Sequence, residues 1–351
     1  MGNHRWDPRC TPPRNLVPPV AVDPRGVTGP TPKQARGPRW RPTSPRMYVP
    51  ADTDSGVPEQ RILEAAARLP PLGAVTGWAA CRLYGANFHD GLGRDGQTEV
   101  PVDLVVGSRG WTRPAAGVRH TYERLEPSEV GVAQGIRVVS PVRATFDAMR
   151  RQRSVREAVV ELEKSVMADV VSIQAVAAHA ATKKGAWRIQ LVRDALPLAR
   201  ENAKSPQETR TRLVAHLDAG ITGLLVNATL HTMSGALIGE CDLVDPETGL
   251  VIEYDGADHE QQPRRHRDAI KFEALRHAGA EVLRVSPQLL REPERLAASM
   301  RDAQARARST RPEQRRWQVV SKATDLDMRL RRERDLAAYF QAMDAAANTD
   351  Q

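Results

Sequence analysis

Cysteine is scarce in this chain: Cys10, Cys81 and Cys241 are the three among 351 residues. They lie far apart, no pair has zinc-ligand spacing, and an odd count argues against a disulfide framework. No apolar run is long enough to span a membrane, and the polar, Pro-rich start does not read as a signal peptide. A cytoplasmic location in a bacterium, with no membrane partner, is therefore expected. Lysine is scarce as well, at 7 against 44 arginines, the bias of a GC-rich genome. The net charge is +8, which favours a polyanionic partner, with nucleic acid the first expectation.

The most telling absence is local. Residues 213–263 contain no Lys or Arg, although 51 basic residues in 351 would put about seven in a window of that length. The same window holds nine acids: Asp218, Glu240, Asp242, Asp245, Glu247, Glu253, Asp255, Asp258 and Glu260. Basic residues resume at once with Arg264, Arg265 and Arg267. An acidic pocket on a basic protein is what a divalent cation beside a phosphate requires.

Within that window, Leu250-Val251-Ile252-Glu253-Tyr254-Asp255 reads as a short buried strand ending at Gly256. Alternation puts Leu250, Ile252 and Tyr254 on one face and Val251, Glu253 and Asp255 on the other. Residues 237–245 read as its hairpin partner, turning through Pro246-Glu247-Thr248-Gly249, which brings Asp242 near Glu253. Carboxylates at the end of an apolar strand call for a cation or a basic partner.

In chain order, residues 1–46 are expected to be a disordered tail, because residues 1–50 hold 12 of the 26 prolines and nine Arg or Lys against two Asp. Residues 47–165 read as a small α/β domain. Strands are expected at 47–49, 102–106 and 135–139. Helices are expected at 58–69, at 76–84 behind a Thr76 cap, and from Pro141 behind a Ser140 cap, with two more over 155–167 and 173–179. The segments Val75-Thr76-Gly77-Trp78-Ala79-Ala80-Cys81-Arg82-Leu83-Tyr84-Gly85 and Val139-Ser140-Pro141-Val142-Arg143-Ala144-Thr145-Phe146-Asp147 resemble the C-terminal domain of AbiEi-type antitoxins, proteins of bacterial toxin–antitoxin and phage-defence systems. That resemblance implies a DNA or toxin partner. Read from the residues alone, Trp78, Arg143 and Asp147 pack and pair within their domain. Residues 166–204 read as a basic helical connector between two domains, and 296–351 as an Arg-rich helical tail.

Residues 205–295 give the order αβββαβ. Ser205-Pro206-Gln207-Glu208 opens a helix with cap, proline and acid. Strands follow near 224–231, 237–245 and 250–255, then a helix over 264–278 closed by Gly279, then a strand over 281–285. This order resembles the core of PD-(D/E)XK nucleases, a restriction-endonuclease-like α/β fold. Cys241-Asp242-Leu243, Val251-Ile252-Glu253-Tyr254-Asp255-Gly256 with His259, Arg267-Asp268, and Gly279-Ala280-Glu281-Val282-Leu283-Arg284-Val285 are similar to the Vsr-like branch, relatives of very-short-patch-repair endonucleases.

The expected chemistry follows from these residues. Asp242 and Glu253 are the candidate ligands of Mg²⁺ or Mn²⁺, with hard oxygen donors suited to such an ion. Glu208, one turn into its helix, is placed to reach the ion's water shell, or else serves only as a capping acid. Most members of the wider superfamily carry a lysine where Asp255 stands, so Asp255 is expected to act through water or to orient His259. His259 is the candidate general base, since an imidazole titrates near neutrality. Arg264, Arg265, Arg267 and Lys271 are candidate DNA-phosphate contacts or a solvated face, and Asp268 is expected to pair with one of them or with Arg284. The expected function is a metal-dependent DNA endonuclease in phage defence or repair. The competing expectation is a non-cleaving regulator that binds DNA or a toxin partner.

Overall fold

In the computed structural model, the described residues are 16–108, 113, 115–256, 262–310 and 312–320, with backbone alone for 262–268 and 312. The chain is mixed α/β, with three sheets among the described residues. It forms two compact units that divide between Pro197 and Leu198.

The first unit begins with β1 (Val20–Ala21), β2 (Trp40–Ser44) and β3 (Met47–Pro50), in the order β1-β3-β2. The expectation of a disordered tail to Arg46 is therefore corrected for the described part. Pro42 lies in an edge strand, where a missing N–H need not break the ladder. The buried Gln60 side chain adds a clamp, accepting from Val17 N–H and donating to Val17 C=O, both at 2.9 Å.

There follow α1 (Pro58–Ala66), β4 (Ala74–Thr76), α2 (Gly77–Leu83), β5 (Val102–Val105), β6 (Val118–Thr121), β7 (Val130–Ala133) and β8 (Ile136–Val139). Their five-stranded sheet runs β6-β5-β4-β8-β7 and mixes parallel with antiparallel pairs. Thr76 precedes α2 as expected, but its hydroxyl does not cap the helix. It donates instead to Asp147 Oδ2 at 2.6 Å.

Four helices complete the unit: α3 (Pro141–Arg150), α4 (Val155–Met167), α5 (Ile173–Thr182) and α6 (Ile189–Ala195). Ser140 caps α3 by accepting from Arg143 N–H, with Pro141 in the first turn. The connector reading of 166–204 fails for α5 and α6. Their buried Val176, Ala180, Val192 and Ala195 pack them on α3 and α4 inside this unit. His179 meets the Phe146 ring edge-on at 5.1 Å.

The second unit contains α7 (Pro206–Leu217), β9 (Leu225–Thr232), β10 (Leu237–Asp245), β11 (Leu250–Tyr254), α8 (Gln262–His277), β12 (Glu281–Val285), α9 (Pro287–Leu290), α10 (Pro293–Ser309) and β13 (Trp317–Val320). The order from α7 to β12 is the αβββαβ read from sequence. The sheet runs β12-β11-β10-β9-β13, with β11 and β12 parallel and the other pairs antiparallel. Helices α7 and α10 cover one face through Val214, Ala215, Leu296 and Met300. Helix α8 covers the other through Leu275 and Phe272.

Helix α8 stops at Gly279, whose φ of +80° suits glycine, and a Cβ there would lie 2.6 Å from the Gln314 carbonyl oxygen. The helical-tail expectation holds only to Ser309, because residues 317–320 form the edge strand against β9. The Arg329–Arg334 cluster lies outside the described residues.

Candidate metal centre between two parting strands

The hairpin turn fixes the register. Asp245 Oδ1 accepts from Glu247 and Thr248 N–H, its Oδ2 accepts from the Thr248 hydroxyl at 2.6 Å, and Gly249 N–H donates to its carbonyl. From there β10 and β11 pair through Asp245↔Leu250, Val244↔Val251 and Leu243↔Ile252. The next positions in register are Asp242 and Glu253, and there the ladder stops. Tyr254 N–H donates to the Asp242 carboxylate Oδ2 at 2.8 Å rather than to a strand carbonyl. Beyond this point β10 stays with β9, while β11 stays with β12 as far as Tyr254↔Val285. The sheet therefore opens where the two predicted ligands stand opposite each other.

A second irregularity coincides with the first. Asn227, opposite Asp242 in the β9–β10 register, has φ +48°, the left-handed region that few side chains adopt in a strand. Val226 and Leu243 pack on the α7 and α10 side, whereas Ala228 and Cys241 pack on the α8 side. Strict alternation would put each residue and its second neighbour on one face. The twist at Asn227 and Asp242 reverses the faces, and the polar side chains collect at that reversal.

Glu208 approaches from α7 and is buried. Its Oε1 accepts from the Ser205 hydroxyl at 2.9 Å, and its Oε2 from Lys204 N–H at 2.9 Å and Asn227 Nδ2 at 2.8 Å. Ser205 Oγ in turn accepts from Glu208 N–H. The capping role is thus real, and Glu208 also stands near enough to act on Asp242. Burial first, then the negative charges of Glu253 and Glu208, push the Asp242 carboxyl up to about 7, against the opposing pull of the Tyr254 N–H.

The cation that meets this charge is Lys271. It was expected to contact DNA from the start of its helix, but it lies mid-helix in α8 and points into the parted strands. Its Nζ donates to Glu253 Oε1 at 2.9 Å and to the Glu240 carbonyl at 3.1 Å, so one ammonium bridges β11 and β10. Burial disfavours the ammonium, yet the Glu253 carboxylate outweighs it and raises the Lys271 pKa. Gly239 leaves room for the lysine stem: a Cβ there would come within 2.9 Å of Lys271 Cδ.

The other candidates divide. Asp255 is exposed and turns to Arg284, at 2.5 Å, rather than into the site. His259 lies outside the described residues, as do the side chains of Arg264, Arg265, Arg267 and Asp268. The sequence reading missed Asn227, which carried no local signal. The role of Lys271 had one: it is the single lysine between Lys204 and Lys322 in an arginine-rich chain. Among the described residues, no group of three or more His, Cys, Asp or Glu side chains is gathered as a metal cage.

The first unit has a separate buried charge network. Asp147 accepts from Arg143 Nε at 3.0 Å, Arg150 at 2.5 Å and the Thr76 hydroxyl. Glu123 binds both arginines, and Glu129 binds Arg143 and Lys183. Burial pushes Asp147 up, but the two guanidiniums outweigh it and hold its carboxyl below the ordinary range. Trp78 Nε1 donates to the Pro101 carbonyl at 2.8 Å. The residues carrying the antitoxin resemblance thus pair and pack within their unit.

Residues 241–304 match one family model, described as a protein of unknown function (DUF2726). The match takes in Asp242, Glu253, Lys271 and Arg284 and excludes Glu208. No curated protein and no solved structure matches the chain.

Proposed function

We propose that the second unit is a metal-dependent DNA endonuclease of the Vsr-like, PD-(D/E)XK type. The observation that carries this reading is the parting of β10 and β11 at Asp242 and Glu253, where burial and then neighbouring carboxylates raise the proton affinity of Asp242.

The donor set fits Mg²⁺ or Mn²⁺. Two carboxylates suffice for an ion that keeps several waters, and anions held together at the expense of their ionisation favour an added cation. Such an ion would supply Lewis-acid polarisation of a scissile phosphate and a more acidic water. Asp242 and Glu253 would hold it. Lys271 pairs with Glu253 and ties the two strands together, Glu208 with Asn227 fixes the far side, and His259 is the general base. Arg264, Arg265 and Arg267 would take DNA phosphates.

A second reading has its own observation. The Lys271–Glu253 ion pair already neutralises one carboxylate, as it would in a non-cleaving regulator that keeps the fold to bind DNA or a protein partner such as a toxin.

The test is cleavage of supercoiled and linear DNA in Mg²⁺ or Mn²⁺ by the full chain beside Asp242→Ala, Glu253→Ala and His259→Ala. The first two variants should be inactive. The third should be slower by roughly 10²–10⁴-fold while still binding the ion. Nicking that persists in all three assigns the activity elsewhere, and DNA binding without wild-type nicking selects the regulator.

A further inference from the structure

The first unit carries an exposed tryptophan set among arginines. Trp187, between α5 and α6, is 53% exposed although its indole is large and apolar. The guanidinium carbon of Arg151 lies 5.2 Å from the ring centroid, and that of Arg188 lies 5.4 Å from it. The backbone beneath is anchored, because Arg150 donates to the Trp187 carbonyl at 3.3 Å. Both guanidiniums lie over the ring, yet about half of the residue stays open to solvent.

The charges around it are sorted by depth. The inner cations are spent on inner carboxylates: Arg143 and Arg150 on Asp147 and Glu123, and Arg151 on Asp103 at 3.1 Å. The outer ones are not. Among the described residues, Arg153, Lys184 and Arg188 have no carboxylate partner, and Arg153 and Lys184 are exposed. Lys184 and Arg188 share the loop of the exposed Trp187, and Arg153 follows Arg151 by two residues, a set of cations that matches a ligand anionic along its length and offering flat rings. Single-stranded nucleic acid has both properties, whereas a duplex hides its base faces.

We propose that Trp187, with Arg188, Arg153 and Lys184, forms a stacking site for an unpaired base of single-stranded nucleic acid. The site is independent of the nuclease reading of the second unit. A base stacks on the free part of the indole, and the rim holds the flanking phosphates.

The experiment is fluorescence anisotropy on the full chain in EDTA, with three labelled probes: a 20-nucleotide oligothymidylate, an abasic strand of equal length, and a duplex. Trp187→Leu should weaken oligothymidylate binding by about 5- to 150-fold and leave abasic and duplex binding unchanged, while Trp187→Phe stays within about threefold. Arg188→Ala should flatten the logarithmic salt slope on the oligothymidylate by about 0.7. Equal losses on oligothymidylate and abasic strand overturn the stacking site, and so does a wild-type affinity for Trp187→Leu. Lys184→Ala alters an exposed side chain and reads the proposal even if Trp187→Leu misfolds: a salt slope unchanged in both Lys184→Ala and Arg188→Ala overturns it.

Discussion

Lys271 and Glu253, eighteen residues apart, meet at 2.9 Å in the gap between β10 and β11, so that an ammonium lies against the carboxylates of the site. Both side chains are largely shielded, at 18% and 9% exposure. Removing the ammonium would take the cation away from a buried carboxylate. Lys271→Met is therefore expected to lose about 3 kcal/mol of stability at pH 7, read from urea unfolding. Glu253→Gln in the same background should recover much of that loss, since it removes the stranded charge.

Asp242 gives a pH dependence of definite sign. Its carboxyl is raised from 3.8 to about 7 in the folded chain, so between those values the folded state binds more protons than the unfolded one. Stability from this group falls as pH rises through that window and levels off above it, by an amount on the order of 2–4 kcal/mol. Asp242→Asn should abolish that slope, leaving the variant more stable than wild type at pH 8 and close to it at pH 4. Chemical denaturation across pH reads both.

Added Mg²⁺ should oppose the same slope. If Asp242 and Glu253 hold the ion, saturating Mg²⁺ at 100 times its Kd stabilises the wild type by about 2.7 kcal/mol. The melting temperature of Asp242→Ala and of Glu253→Ala should not move. Equal shifts in all three proteins would remove these residues as ligands.

Asn227 separates backbone from side chain. Its left-handed φ is costly for any residue with a Cβ, and its amide holds Glu208. Asn227→Gly keeps the backbone and loses the tether. Asn227→Ala loses the tether and keeps the strain, so it should be about 1 kcal/mol less stable than the glycine variant. Thermal melts of the pair measure the difference.

In the first unit, Asp147→Ala strands Arg143 and Arg150 with one partner fewer. A loss of about 3–5 kcal/mol is expected. In the wild type this carboxylate is held below its ordinary value, so its contribution is present at neutral pH and is lost as pH falls through its folded value.

Much of the site was legible because its chemistry is local. The turn at 246–249 sets the hairpin register, and the register alone puts Asp242 opposite Glu253. The cap Ser205-Pro206-Gln207-Glu208 and the stop at Gly279 are written in adjacent residues, and both are found where the sequence puts them. What was not legible is what the fold brings from afar. The window 213–263 lacks cations, yet Lys204 meets Glu240, Lys271 meets Glu253 and Arg284 meets Asp255, all from outside it. A deficit along the chain is not a deficit in space. The face reversal at Asn227 is hidden for a different reason: asparagine tolerates a left-handed backbone, but nothing nearby in sequence demands one. Strands within 20–44 are masked by proline density, which excludes a central strand but not an edge such as β2.

Strand β13 is the last described element, and its partner β9 begins some ninety residues earlier. As the chain is made from its N-terminus, β9, β10 and β11 are complete long before Trp317 to Val320 exist. Through that interval the outer side of β9 is an open ladder with His231 and Thr229 unmatched, able to recruit any passing strand. Closing so long a loop is slow, and its entropic cost is met only when the strand docks. A chain ended before Trp317 would keep that open ladder permanently, making self-association during synthesis the main hazard of a C-terminal truncation.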